Sequence, residues 1–398
     1  MKYILLKNGR IVHDDKLVSG NILIGNDRII EIGDHVKAPH PYSEIIDLSN
    51  KYLLPGLIHY NCSILKLENN EPTSSAIYIA LSHGATFLMD TVKIQKETPF
   101  SKTINFSRES CKPIIADYGF HLRAHRCCHL SEEDLLKILT YEGISSFYIK
   151  LKDIKKLLKN NLNCMFDFAS KSKLLYICET KEVNKITGEK ESLFSENNIE
   201  KFNFLMSVIK KYKYPFLFTG ITTWEELDKI FQDKELNDNI FASVHLSDKC
   251  NKDGTLNYKD LEKLVKNPNI ILAPPELIQP DSKKSSFIEN AKTYSFLSDL
   301  ICREKSINED LLLNICEMYA TRPAKLLGIY PQKGVLDIGT DADFIVWNPA
   351  ERNSRIIGGT DAILLRKDIY AVIMKGKMVT DDIEEIHKNL SGKFLFRN

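Results

Sequence analysis

Charge of one sign is missing from this chain. Its 54 lysines and arginines stand against 53 aspartates and glutamates, a formal net charge of +1 over 398 residues. So close a balance provides no bulk field to gather nucleic acid or an anionic membrane, and neither is expected as a partner. The lysine-rich stretch 152–159 is accordingly expected to be a solvated helix face. Long apolar runs are missing too. The opening Met-Lys-Tyr-Ile-Leu-Leu-Lys-Asn-Gly-Arg holds too short an apolar stretch for a signal peptide or a membrane span. Cysteine has no framework spacing: nine is an odd, scattered count, which fits reduced thiols and a cytoplasmic location. The chain has no glycine-rich phosphate loop, nucleotide fingerprint, internal repeat or low-complexity tract.

What is present is ordinary for a globular protein, with 43% hydrophobic and 27% charged residues, and the length suits one large domain plus a smaller one. Both ends alternate in the manner of strands. Tyr3 to Leu6, Asn21 to Ile24, Arg28 to Ile32 and Glu44 to Asp47 are short apolar or β-branched runs, with Gly25-Asn26-Asp27 as a hairpin loop. Asp343 to Trp347 and Ala371 to Met374 repeat the pattern, followed by a Lys375-Gly376 turn.

Between the ends, strands and helices alternate. Thr73 to His83 reads as a helix stopped by Gly84, and Ala85 to Met89 as a buried strand. Ser131/Asp134, Thr223/Glu226 and Ser306/Glu309 have capping-box spacing, and Ile199 to Tyr212 carries a helical stripe of Phe202, Leu205, Ile209 and Tyr212. Further strands are expected at Lys173–Ile177, Pro215–Phe218, Ile240–Val244 and Asn269–Leu272. The fold class is therefore α/β: a (β/α)8 TIM-like barrel over residues 53–332, with a small β-sandwich module built from residues 1–52 and 333–398.

Leu5-Leu6-Lys7-Asn8-Gly9-Arg10, Gly20-Asn21-Ile22-Leu23-Ile24 and Arg28-Ile29-Ile30-Glu31-Ile32-Gly33 resemble the opening strands of the cyclic-amide branch of the amidohydrolase superfamily. That branch holds dihydropyrimidinases, hydantoinases, allantoinases, dihydroorotases and the non-catalytic collapsin-response-mediator proteins. Arg322-Pro323-Ala324-Lys325 through Pro331-Gln332-Lys333-Gly334 is similar to its Asn-Pro-Ala-Lys…Pro-x-Lys-Gly, and Gly339-Thr340-Asp341-Ala342-Asp343 to its Gly-x-Asp-Ala-Asp. Pro323 suits the first turn of a helix and Gly328 its exit. These motifs specify scaffold rather than chemistry.

In active members the resemblance implies two divalent cations, usually zinc, that activate a bridging hydroxide. Their ligands are two histidines on strand one, a carbamylated lysine, two more histidines, and an aspartate on strand eight that also serves as base and acid. The strand-one signature Pro-Gly-x-Ile-Asp-x-His-x-His is met by Pro55, Gly56 and Ile58. His59, Asn61 and Ser63 then stand where Asp, His and His belong. Gly143 to Phe147 resembles the segment before the carbamylated lysine, which places Tyr148 at the lysine position. In the same way Ile177 falls on one histidine position and Gly220 on the other. Ala273-Pro274-Pro275 resembles the Pro-Pro-Leu segment, but no Ser-Asp-His follows. That region reads as shortened, and Asp281 and Asp299 are the nearest carboxylates, expected at the surface.

A rebuilt centre would draw on His59, His121, His125, Lys150 or Glu179, with zinc as its cofactor. His121 and Tyr118 lie in Asp117-Tyr118-Gly119-Phe120-His121, which is similar to the family's third strand. The group His125, Cys127, Cys128 and His129 lacks a C-x-x-C pair, and Cys62 and Cys178 read as core. The expected function is that of a pseudoenzyme without metal, catalytic residue or cofactor, acting as a scaffold, a homo-oligomer or an enzyme's partner subunit. The alternatives are a hydrolase of cyclic amide C–N bonds and a metal-free binding module.

Overall fold

The computed structural model describes residues 3–62, 84–94, 97–112, 115–159, 163–183, 190–246, 254–274, 308–350, 354–357, 363–366, 369–379 and 392–396. The expected helix Thr73–His83, Ser63, Asp281 and Asp299 lie outside them.

Strands β1 (Tyr3–His13), β2 (Lys16–Gly25) and β3 (Arg28–Gly33) form an antiparallel meander. Asn26 and Asp27 link the last two with positive φ at both positions, the pairing that a right-twisted two-residue hairpin favours. A register shift between Leu6 and Gly9 bends β1, and its two halves take different parallel partners. Strand β4 (Glu44–Asp47) lies beside Ile4–Lys7, and β5 (Tyr52–Pro55) beside Arg10–Ile11.

The barrel strands follow: β6 (Leu57–His59), β7 (Ala85–Val92), β8 (Asp117–Arg123), β9 (Ser146–Ile149) and β10 (Leu175–Glu179). A short hairpin of β11 (Lys181–Val183) and β12 (Lys190–Ser192) precedes β13 (Phe216–Ile221), β14 (Ile240–Val244) and β15 (Ile270–Leu272). The eight barrel strands pair in chain order, and every pairing is parallel. The chain returns to the first sheet through β16 (Phe344–Trp347), which pairs antiparallel with β5. A hairpin of β17 (Ser354–Ile357) and β18 (Ile363–Arg366) leads to β19 (Ile369–Met374) and β20 (Lys377–Val379).

Residues in register share one face of a sheet, and this fixes what lies inside. Ile58 is level with Phe87, Tyr148 with Ile177, and Ile177 with Leu217. These side chains join Tyr60, Met89, Leu175 and Ile271 in one buried cluster, so the first and last strands line the same interior. The Tyr60 hydroxyl also meets Ser243 Oγ on β14. The sheet thus curls round into a TIM-like barrel. The opposite faces (Leu88, Phe120, Leu122, Phe147, Tyr176, Phe216 and Phe218) pack against helices through Phe202, Leu205, Ile209 and Tyr212.

Sequence signals for local structure hold in detail. Ser131 with Asp134 and Thr223 with Glu226 form reciprocal capping boxes, and Ile199–Tyr212 is one helix. Lys152 and Lys156 are exposed as expected of a solvated face. Pro323 sits in the first turn of Arg322–Leu327, and Gly328 closes it in the left-handed region. A π turn, Glu317–Thr321, leads into that helix.

Ser306 lies outside the described residues; the helix Glu309–Cys316 is capped by Asn308, whose Oδ1 accepts the Leu311 N–H at 3.0 Å. The strands of the module form one hydrogen-bonded, bent eight-stranded path wrapped round a core of Ile4, Leu6, Ile11, Ile22, Leu53, Phe344 and Val346. A boundary at 52/53 would cut β5, whose residues as far as Pro55 pair with β16.

A buried charge cluster joins module to barrel. Lys333 Nζ, 2% exposed, lies 2.7 Å from Asp117 Oδ2 at the start of β8 and 3.0 Å from Asp341 Oδ2, and it also bonds Asp343. Lys375 Nζ is 2.6 Å from Asp117 Oδ1, and its backbone N–H donates to Asp343 Oδ1. The three carboxylates are close enough together to hold a metal ion, but Lys333 already supplies the cation among them. The Pro-x-Lys-Gly and Asp-Ala-Asp motifs are therefore two sides of one clamp.

Candidate functional site at the barrel mouth

The carboxyl ends of parallel barrel strands point their side chains toward a common mouth, where such folds carry their chemistry. On β6, Gly56 and Ile58 position the strand. A Cβ on Gly56 would fall 2.1 Å from Thr86 Oγ1, so only glycine allows β6 this close to β7. His59 is fully buried and level with Leu88, a residue on the helix-facing side. The register thus turns His59 away from the interior that Ile58 and Phe87 line.

Beyond β6, Tyr60 and Asn61 turn into the mouth. The Asn61 side chain lies beside Tyr148. Burial drives the Tyr148 phenol well above its ordinary range, and the Glu179 carboxylate pushes the same way. The Asn61 amide and the Arg123 charge oppose them more weakly. Tyr148 therefore stays a neutral phenol at any physiological pH.

His121 lies one layer below and is fully buried. Its Nε2 is 2.6 Å from the Tyr60 carbonyl, and its Nδ1 is 2.6 Å from Ser146 Oγ. A carbonyl only accepts, so the proton sits on Nε2 and Nδ1 accepts from the serine hydroxyl. Burial lowers the imidazole to about 4, the carbonyl contact only partly offsetting it. Both ring nitrogens are occupied, which leaves His121 no lone pair for a metal.

Ile177 is fully buried between Tyr148 and Leu217, and offers no donor. Gly220 sits at φ +85 in the irregular stretch of β13 between Phe218 and Ile221, and has no side chain to offer. Strand eight is β15, where Ile271 faces the interior and no carboxylate occurs from Ile270 to Pro274. Asn61, Tyr148, Ile177 and Gly220, the positions that the resemblance assigns to the metals, offer an amide, a phenol, an alkyl side chain and no side chain, a set that does not fit a two-metal centre.

The remaining candidates do not assemble a centre. Lys150 Nζ is 3.7 Å from Glu179 Oε2 across adjacent strand ends. His125 Nδ1 lies 3.1 Å from Asp153 Oδ2, and burial lowers its imidazole to about 4 in spite of that carboxylate. His129 is exposed, whereas Cys127 is buried with its Sγ toward the Arg123 carbonyl. Among the described residues, the Asp117–Asp341–Asp343 group alone brings three metal-ligating atoms together. Cys62 donates to the Met89 carbonyl, and burial raises the Cys178 thiol, as befits core residues.

The sequence reading missed Arg123. It is 5% exposed, level with Tyr148, and its Nε donates to Asp153 Oδ2 at 2.7 Å. The signal was available: Arg123 is two residues past His121 on one strand, hence on the same face.

Residues 282–379 match the family model described as the amidohydrolase family. The D-hydantoinase of Ralstonia pickettii is 20% identical over 459 aligned positions, covering 99% of this chain and 98% of that protein. Among solved structures, dihydropyrimidinase from Brevibacillus agri superimposes with a TM-score of 0.73 at 16% identity, covering 100% of this chain and 99% of the other. L-hydantoinase from Arthrobacter aurescens gives 0.72 at 15% identity, with full coverage of both chains. Residues 282–379 thus match the amidohydrolase family, and over its whole length the chain is similar to hydantoinases and shares the fold of dihydropyrimidinase.

Proposed function

We propose that this chain is a branch member that has lost two-metal hydrolysis and acts as a scaffold, as an oligomer of itself or as the partner subunit of an enzyme, in the cytoplasm. One observation carries the reading. Asn61 and Tyr148, which the resemblance puts at a histidine and the lysine position, stand together there as a neutral amide and a neutral phenol. Ile177 and Gly220 add no ligand, and His121 spends both nitrogens on Ser146 and Tyr60. Neutral amide and phenol groups are poor zinc ligands beside imidazole and carboxylate. No described helix is long and apolar enough to cross a membrane.

The test is metal analysis of protein purified without chelator, joined to turnover assays on dihydropyrimidine, hydantoin and dihydroorotate. The expected result is substoichiometric zinc and no hydrolysis. Stoichiometric zinc that is lost together with activity in His59→Ala or His121→Ala overturns the reading in favour of a rebuilt hydrolase.

A further inference from the structure

The amino ends of the barrel strands, opposite the mouth, carry a seat for an extended segment. Strand β9 pairs with β8 at Leu122 and Arg123. Further back along β8, beside Tyr118, residues 393–395 take up strand pairing. The Tyr118 N–H donates to the Lys393 carbonyl at 3.0 Å, and the Leu395 N–H donates to the Tyr118 carbonyl at 2.9 Å, a parallel bridge between Tyr118 and Phe394. Asp117 Oδ1 accepts the Lys393 N–H at 2.6 Å. The side chains alternate as in a strand. Leu395 is buried and joins the barrel-interior cluster that holds Phe87, Ala324 and Ile329. Phe394 lies against Tyr118 and Phe120, and the Arg108 guanidinium sits 4.5 Å from its ring centre. Glu142 holds that guanidinium through both its carboxylate and its carbonyl. Phe396 meets Phe394 edge-on and covers Gly143, where a Cβ would collide with its ring.

These contacts specify a sequence but hold it lightly. Three hydrogen bonds and one buried side chain stand against the entropy of ordering a chain end, terms of similar size. Lys393 and Phe396 are exposed, and Phe394 is half-buried. We propose that this seat is a peptide-binding groove of the strand-addition kind, filled in the resting chain by its own carboxyl end and open to an external segment with the same aromatic–aliphatic–aromatic alternation. Main-chain bonds to Tyr118 set the register, and the places of Phe394, Leu395 and Phe396 select the side chains. The tethered occupant competes at an effective concentration of about a millimolar, so an external segment enters as the chain end lets go. The groove lies at the far end of the barrel from the mouth, and the proposal holds whether or not the mouth binds metal.

The test uses the full chain, with a fluorescent peptide of residues 392–398 as probe and a peptide of the same composition in scrambled order as control. Anisotropy titration is expected to show weak, saturable binding to the wild type. Phe394→Ala and Leu395→Asp, each made in the full chain, loosen the tethered occupant and leave the groove intact, and should bind the probe at least about tenfold more tightly. Affinity no higher in either variant than in the wild type overturns the proposal, as does equal binding of the scrambled peptide. Loss of the folded state in both variants, read by circular dichroism, overturns it as well, because the chain end is then a fixed part of the core.

Discussion

Replacing Lys333 by methionine keeps the side chain's length and removes the cation that three carboxylates share. In the native cluster Asp117, Asp341 and Asp343 face Lys333 and Lys375, leaving one excess negative charge in a nearly dry junction. Burial pulls the Asp117 carboxyl up, but the two lysines outweigh it and hold it below the usual range. Burial also pulls Asp343 up, and there Lys333 does not fully offset it, so Asp343 is where a proton settles first. The Lys333 ammonium is held above its ordinary value, because the three carboxylates overcome the opposing effect of burial. Breaking a buried ion pair costs about 3–5 kcal/mol. Lys375 still serves Asp117 in the variant, so we expect about 3 kcal/mol near neutral pH. The sign of the pH dependence follows. Asp117, depressed, contributes stability above its unfolded value of about 3.9 and loses it as pH falls through its folded value. The variant has more uncompensated charge to neutralise, so protonation relieves it more than the wild type, and its penalty shrinks as pH falls from about 7 to about 4. Urea unfolding followed by circular dichroism at several pH values measures this. A penalty below about 1 kcal/mol, or one that stays constant with pH, would refute the account of the cluster as the clamp between module and barrel.

Two further outcomes are expected. The Tyr176 hydroxyl is buried in an aromatic cluster with Phe147, Tyr214 and Phe216 and has no hydrogen-bond partner among the described residues. Tyr176→Phe should therefore stabilise the fold by about 1 kcal/mol in the same unfolding assay, and a loss of stability would show that the hydroxyl is satisfied. His121, lowered to about 4 by burial, favours the native state above its unfolded value of about 6.5 and withdraws that stability as pH falls toward 4, by up to about 3 kcal/mol. Imidazole NMR should find this ring neutral at about pH 5, and a ring that titrates near 6.5 would refute the buried Ser146–His121–Tyr60 chain.

The strands and capping boxes were legible because each is written in a local pattern. A short run beside a helix marked Ile240–Val244 as a strand, and Thr223 with Glu226 marked a helix start. The scaffold motifs were legible as motifs, yet their reason was not. Lys333 finds Asp117 across 216 positions of chain, a contact that no local period encodes. At the mouth, Asn61, Tyr148, Ile177 and Gly220 are singled out only by the resemblance. That His59 turns outward depends on strand register, which a shift between Leu57 and Ile58 sets in three dimensions. Asn308 caps its helix by accepting the Leu311 N–H, although Leu311, three residues on, completes no capping box that a sequence pattern would mark.

The pairing of β5 with β16 has a consequence for biosynthesis. Leu53 and Leu54 meet Val346 and Ile345 only after roughly 290 further residues have been made, which at about 5–20 residues per second is about 15–60 s. Through that interval the meander β1–β3 can form, but one flank of its apolar core lacks Phe344, Val346 and Ile373. A nascent chain of this protein therefore carries an open, sticky sheet edge for most of its time on the ribosome. Its yield in a host should depend on holdase chaperones that shield such edges until the far end of the chain arrives.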